Sequence, residues 1–282
     1  DKYMAYLKVV HSPLSGWIEI VDLNSGRHRT AGNYNQVTDH PGAPDLGVEW
    51  VAINKQYVFW MRSAEGLYRG NIETGEIKQL TTIVFECDRW CATDNEIVCG
   101  SSLGLHADRV DIETGEYTHL DSGGAMQIDV ACSPDRRWVT WVDYRDPPGP
   151  SSQYMGYRTG GEVYLHDLKE HKTTRITNDS PSSPKAKYQP ATDGESIVWF
   201  EPCAACDQNP DQQQSVDFLT TTLVRKRIGQ SKICRLEKAQ ARGWSSVHGS
   251  HLYGYWHSYE KDHRYLVDLD MDDPSLPWKC TE

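Results

Sequence analysis

The chain has 282 residues, 38% of them hydrophobic, and a formal net charge of −11 at pH 7. Repulsion between that charge and a phosphate backbone excludes nucleic acid as a natural partner, and no stretch approaches the roughly 20 apolar residues of a membrane helix. The aromatic residues are 15 Tyr and 10 Trp against 4 Phe, side chains with a polar handle that suit half-buried sheet positions and wet surfaces.

The chain opens at Asp1-Lys2 with neither Met nor an apolar leader, as expected of a mature or trimmed form. The first short apolar strand is predicted at 4–7 (MAYL). It recurs at 58–61 (VFWM), 97–100 (IVCG), 139–142 (VTWV), 197–200 (IVWF) and 253–256 (YGYW). A second strand follows in most repeats, ending in an Asp/Asn-x-x-x-Gly-like turn, at 18–26, 67–75, 108–115, 163–171 and 265–272. Third strands rich in Thr, Lys and Arg come at 77–80, 117–120 and 173–176. Trp60, Cys99 and Trp141 stand roughly forty residues apart, the length of one four-stranded propeller blade. Each short sheet can bury its faces only against its neighbours, so β-branched and aromatic residues repeat while turns stay polar.

These signals predict an all-β chain, a six-bladed β-propeller of four-stranded antiparallel blades. It is read as a single domain, 1–282, with blades at roughly 1–47, 48–84, 85–125, 126–184, 185–243 and 244–282. Turns between the inner strands and these repeated apolar strands fall at Asn54-Lys55, Asp94-Asn95, Pro134-Asp135, Asp193-Gly194 and Gly249-Ser250. Only five inner strands are visible, so the first blade is expected to lack its own, which lies upstream of Asp1 or is replaced by another segment. The stretch 235–242 is the one hint of helical periodicity.

The segments NIETGEIKQLTT (71–82), CSPDRRWVTW (132–141), YLHDLKEHKTTRITND (164–179) and QPATDGESIVWFE (189–201) resemble the TolB-like propeller repeat. The resemblance covers most of the chain and implies fold rather than activity, because such propellers include the periplasmic TolB component, peptidase propellers and oligogalacturonate lyases.

Propeller connectivity puts the loops that follow the repeated apolar strands, between them and the second strands just named, on the same face as the loops that join blades. Three insertions, 31–47, 146–160 and 202–215, are expected to extend that face, where binding usually sits; His40, Tyr154, Tyr157 and Arg158 belong to it. Two residues beyond each repeated aromatic stand Lys8, Arg62, Asp143, Glu201 and His257, with Ser101 in the Cys99 blade. They are read as a polar rim of the binding face or, in the bland alternative, as strand ends reaching water. Asp143, Glu201 and His257 on consecutive blades could hold a divalent cation, Ca²⁺ or Mn²⁺ by their oxygens, unless the blades keep them apart. His248 and His251 form HxxH in a turn, without the helical presentation of a zinc protease site.

Eight cysteines, Cys87, Cys91, Cys99, Cys132, Cys203, Cys206, Cys234 and Cys280, point to disulfides and an oxidising compartment. Cys87, Cys91 and Cys99 bracket one hairpin and suit a local bridge. Cys203 and Cys206 (CAAC) read as a loop staple. No G-x-S-x-G, Walker-type or G-x-G-x-x-G motif is present. The reading is a periplasmic or secreted module, freed of a signal segment, that binds a protein or a glycan. The competing class is a polysaccharide lyase-like enzyme using His257, Arg62, Tyr259, Tyr144 and Arg145. A third reading is a structural repeat domain of a larger envelope or filament protein.

Overall fold

A computed structural model describes residues 2–11, 14–34, 48–62, 65–83, 89–100, 106–121, 127–145, 153–154, 157–158, 161–180, 185–202, 221–239, 242–258 and 263–281. Among them the regular structure is strand and turn, with no helix. The chain divides into two compact units, Asp1–Cys99 with Asp108–Leu120, and Gly100–Ala107 with Asp121–Glu282.

The first unit carries three antiparallel sheets. The first sheet pairs β1 (Tyr3–His11), β2 (Leu14–Asp22) and β3 (His28–Tyr34). The second runs in chain order through β4 (Val48–Ile53), β5 (Tyr57–Arg62), β6 (Gly66–Asn71) and β7 (Ile77–Thr81), and the third through β8 (Arg89–Ala92), β9 (Glu96–Gly100), β10 (Ala107–Asp111) and β11 (Tyr117–His119). The strand equivalent to β1 is β5, so the first sheet lacks its inner strand, as the repeat implied.

The second unit continues the pattern. β12 (Gln127–Cys132), β13 (Trp138–Asp143), β16 (Glu162–Asp167) and β17 (Lys172–Arg175) form the fourth sheet, with a small hairpin, β14 (Gln153–Tyr154) and β15 (Tyr157–Arg158), inserted between β13 and β16. The fifth sheet is β18 (Tyr188–Thr192), β19 (Ser196–Pro202), β20 (Thr221–Arg227) and β21 (Ile233–Ala239), and the sixth is β22 (Arg242–His248), β23 (His251–Ser258) and β24 (His263–Asp270). The last strand, β25 (Lys279–Thr281), does not join the sixth sheet. It returns to pair with β21 as a fifth strand of the fifth sheet. Of the stretch 235–242, rich in helix formers, the described residues 235–239 and Arg242 are strand: Leu236 faces Leu223 across the ladder and is buried. Pairing with β20 overrides local propensity there.

Alternation along single strands explains why the repeated aromatic runs are apolar on both faces. In β5, Val58 and Trp60 pack with Ile18 and Ile20 of the first sheet, while Tyr57, Phe59 and Met61 pack with Ile97, Cys99 and Val110 of the third. In the second unit β19 repeats this division. Ile197 and Trp199 meet Val163 and Leu165 of the fourth sheet, and Val198 and Phe200 meet Val247 and Leu252 of the sixth.

The Asp/Asn-x-x-x-Gly signature also has a local cause. Asp22, Asn71, Asp111 and Asp167 each sit at the end of a strand and accept backbone N–H bonds from residues two and three further on, as Asn71 does from Glu73 and Thr74, both at 2.9 Å. Such Asx turns reverse the chain without a partner strand.

Candidate functional site

The strand ends nearest the long insertions of the second unit hold a set of buried ionised groups. In β13 the indole of Trp141 is fully buried and donates its N–H to Asp143 Oδ2 at 2.9 Å. Gln127, directly opposite Asp143 in β12, donates to the same oxygen at 2.8 Å. Arg145 donates its backbone N–H to Oδ1 at 2.8 Å and its guanidinium to Oδ2 at 3.0 and 2.5 Å. Its third nitrogen reaches Asp121 at 3.0 Å, and the guanidinium lies 4.6 Å from the ring centre of Tyr164. Burial works to lower the pKa of Arg145, but the hydrogen bonds to Asp143 and Asp121 outweigh it and raise it.

Glu201 repeats the arrangement in β19. It accepts the indole N–H of buried Trp199 at 3.1 Å, Lys185 Nζ at 3.2 Å and Arg235 Nε at 3.3 Å. A third carboxylate, Glu162, faces Asp143 across the β13–β16 ladder. It accepts from Arg175 at 3.1 Å, from the backbone N–H of Asp179 at 2.8 Å and from the Thr177 hydroxyl. Lys187, whose side chain is 0% exposed, lies 3.2 Å from Glu162 and donates to Asp179 at 2.6 Å and to the Gly161 carbonyl at 3.0 Å. A buried ammonium is tolerable only with such partners.

The same end of these two sheets carries backbone strain. The first strands β12 and β18 both slip register, between Ile128 and Ala131 and between Tyr188 and Ala191. At each slip a residue other than glycine takes a left-handed φ, 58° at Asp129 and 53° at Gln189. The two residues meet, Gln189 N–H donating to Asp129 Oδ2 at 2.7 Å. Bulges of this kind re-aim side chains and concentrate near binding sites.

Other residues singled out by sequence fall as follows. Asp143 is 1% and Glu201 3% exposed, so the structure turns these two carboxylates into the protein instead of leaving them on an open rim. The signal available in the sequence was the spacing Trp-x-Asp and Trp-x-Glu, which places acid and indole on one side of a strand. Arg145 is bound to Asp143, whereas Tyr144 is half-buried beside Gly161. Lys8 lies in β1, Arg62 ends β5, His257 lies in β23, and Tyr154 pairs with Tyr157 across β14–β15 before Arg158. The side chains of these six residues are outside the described set, as are His40, Ser101, Tyr259 and the insertions at 35–47, 146–152 and 203–220. Among the described residues no three His, Cys, Asp or Glu side chains converge to hold a metal ion, and Asp143 and Glu201 are already engaged by cationic side chains. His251 opens β23 and meets Asp268 across the ladder at 2.7 Å.

No described cysteine is free. Cys91, Cys99 and Cys132 are each disulfide-bonded, and Cys234–Cys280 links β21 to β25. Cys87, Cys203 and Cys206 lie outside the described residues.

These sheets define the class of the protein: a six-bladed β-propeller whose first blade lacks its inner strand. No family model matches the chain and no curated protein matches it. Among solved structures, TolB from Acinetobacter baumannii is similar with a TM-score of 0.60 at 10% identity, over 96% of this chain and 61% of that one, so the chain spans less than two thirds of that TolB. An oligogalacturonate lyase in complex with manganese gives 0.57 at 14% identity, over 97% of this chain and 72% of the other. The β-propeller domain of the trilobed protease from Pyrococcus furiosus gives 0.56 at 10% identity, over 96% and 80%. The likeness is one of fold, shared by propeller proteins of differing activity.

Proposed function

We propose that this chain is an extracytoplasmic, TolB-like propeller module that binds a protein or a glycan through the loops leaving the Asp143 and Glu201 ends of its blades. The observation that carries the proposal is the buried set of ion pairs at Asp143, Glu162 and Glu201. Together they fix the strand ends from which 146–160 and 203–220 depart. Loops on an immobile base are the usual form of a binding surface. The disulfides favour a periplasmic or secreted setting. Among the described residues no helix is long and apolar enough to cross a membrane. Arg145, which a lyase would turn toward a substrate carboxylate, is committed to Asp143 and Asp121.

The test is replacement of residues 202–215 by a short Gly-Ser turn, followed by pull-down from an envelope extract and a glycan-array screen. Loss of the bound partner with an unchanged thermal melt supports the loop surface. A partner retained at full affinity by the replaced protein sinks it.

A further inference from the structure

The fifth sheet differs from the second, third and fourth in carrying one strand beyond four: β25 lies outside β21. β18 to β21 already make a full blade, so β25 is an addition that the blade does not need. It is three residues long, all exposed, and pairs Ile233 with Thr281, Cys234 with Cys280 and Arg235 with Lys279. The segment that leads to it, 271–278, is exposed apart from Met271, Leu276 and Trp278. Those three pack in the apolar cluster shared by the fifth and sixth blades, and Trp278 donates its indole N–H to the Met271 carbonyl at 3.1 Å. So short and open a segment has few contacts to resist local opening. Between it and β20 lies a cleft of about 420 Å³, with Cys234 and Cys280 in its lining.

One covalent bond closes this arrangement. Cys234 and Cys280 stand directly opposite each other and are joined by a disulfide. Of the five described cysteines, Cys99 is buried in the core of the first unit, Cys91, Cys132 and Cys234 are half-buried, and Cys280 is exposed. A disulfide reached from solvent is the kind that dithiols reduce first, whereas buried ones resist attack.

We propose that Cys234–Cys280 is a redox-operated clasp, opened in the folded protein by a dithiol reductant. Opening it releases 272–281 from the fifth blade, widens the cleft and bares the outer edge of β21. A thiolate of the reductant attacks the sulfur of Cys280, the S–S bond breaks, and its electron pair leaves on Cys234. The reductant's second thiol then displaces Cys280 from the mixed disulfide. The dithiol ends oxidised to its own disulfide, and its two protons end on Cys234 and Cys280. The four-stranded blade stays behind, so oxidation can reseat the strand. The device rests on the fifth and sixth blades alone and is independent of the loop surface proposed above.

The oxidised protein is titrated with dithiothreitol in the absence of denaturant. Free thiols are trapped with N-ethylmaleimide and mapped by mass spectrometry, and amide hydrogen exchange is followed at each step. Cys234 and Cys280 are expected to be labelled together, at about tenfold less dithiol than Cys91, Cys99 or Cys132. Exchange at 233–235 and 272–281 should rise at the same point, while β13, β18 and β19 stay protected, and reoxidation should reverse it. In the Cys234→Ser/Cys280→Ser variant these two segments should exchange fast with or without dithiol. Labelling of Cys234 and Cys280 only along with the other cysteines overturns the proposal. So does their reduction with no change in exchange at 272–281, which would leave the bond reducible but not a clasp.

Discussion

Trp199 donates its indole N–H to the carboxylate of Glu201 at 3.1 Å, two residues along the same strand. The preceding blade repeats the bond between Trp141 and Asp143, but the two carboxylates differ in their cations. Asp143 is held by Arg145 with a side chain 21% exposed, whereas the Lys185 and Arg235 side chains around Glu201 are 44% and 29% exposed. Removing an acid harms the fold in proportion to how badly its partners are stranded. Asp143→Ala leaves the indole and the Gln127 amide without their acceptor and Arg145 with Asp121 alone, and is expected to cost about 3–5 kcal/mol. Glu201→Ala leaves cations that water can reach, and should cost about 1–3 kcal/mol, mainly for the buried indole. Urea denaturation of the two variants beside the parent measures both. The reverse order would show that the Asp143 cluster is not the stronger anchor.

Gly75 and Gly115 close equivalent turns, with φ of +73° and +78°. A Cβ at Gly75 meets nothing within 4 Å, but at Gly115 it would collide with the Leu80 carbonyl oxygen of the neighbouring blade. Gly75→Ala is therefore expected to cost only the left-handed backbone term, about 1–2 kcal/mol. Gly115→Ala must also push two backbones apart, so its midpoint in denaturant should fall further. Equal midpoints for the two variants would contradict the close approach.

Much of the fold was legible because its determinants are local. The Asx turns at Asp22, Asn71, Asp111 and Asp167, and the doubly apolar strands around Trp60, Trp141 and Trp199, recur with the blade. Three features were not. The strand β20 lacks the repeat's turn signature and follows a long insertion. Its partner β21 has a composition that favours helix. The return of β25 to the fifth blade is a long-range pairing that nothing near Cys280 specifies, and eight cysteines do not dictate their own connectivity. The functional reading of Asp143 and Glu201 met the same limit. Their spacing from tryptophan was visible, but the cations that enclose Glu201 come from Lys185 and Arg235, on other strands and loops.

His251 supplies a titration test. The hydrogen bond that its ring donates to Asp268, and then the charges of Asp268 and Asp270, raise its pKa above the ordinary 6.5 although burial opposes the shift. A raised histidine favours the folded state below pH 6.5 and loses that contribution as pH rises through the folded pKa. With the ring at the surface the effect on stability is small, and the titration itself is the readout. The imidazole proton resonance of His251 should titrate with a midpoint above 6.5, and Asp268→Asn should bring that midpoint down. A midpoint indifferent to the substitution would mean that the pair does not persist in solution.

The Cys234–Cys280 bridge yields the last prediction. It spans a sequence separation of 46 and encloses the whole sixth blade, β22 to β24, between its ends. Closing a loop of that length removes conformational freedom from the unfolded chain, so the bridge should stabilise the protein by about 3–4 kcal/mol. The Cys234→Ser/Cys280→Ser variant is expected to unfold at lower urea by a corresponding amount. It should also be cut faster by protease between Asp272 and Thr281, because β25 has only three residue pairs with β21 to hold it. Loss of stability without faster cleavage would assign the bridge to the unfolded chain alone. Faster cleavage without loss of stability would make it a local clasp on the return segment. If neither changes, the noncovalent contacts of Trp278 and Leu276 with the fifth blade hold the C-terminal strand unaided.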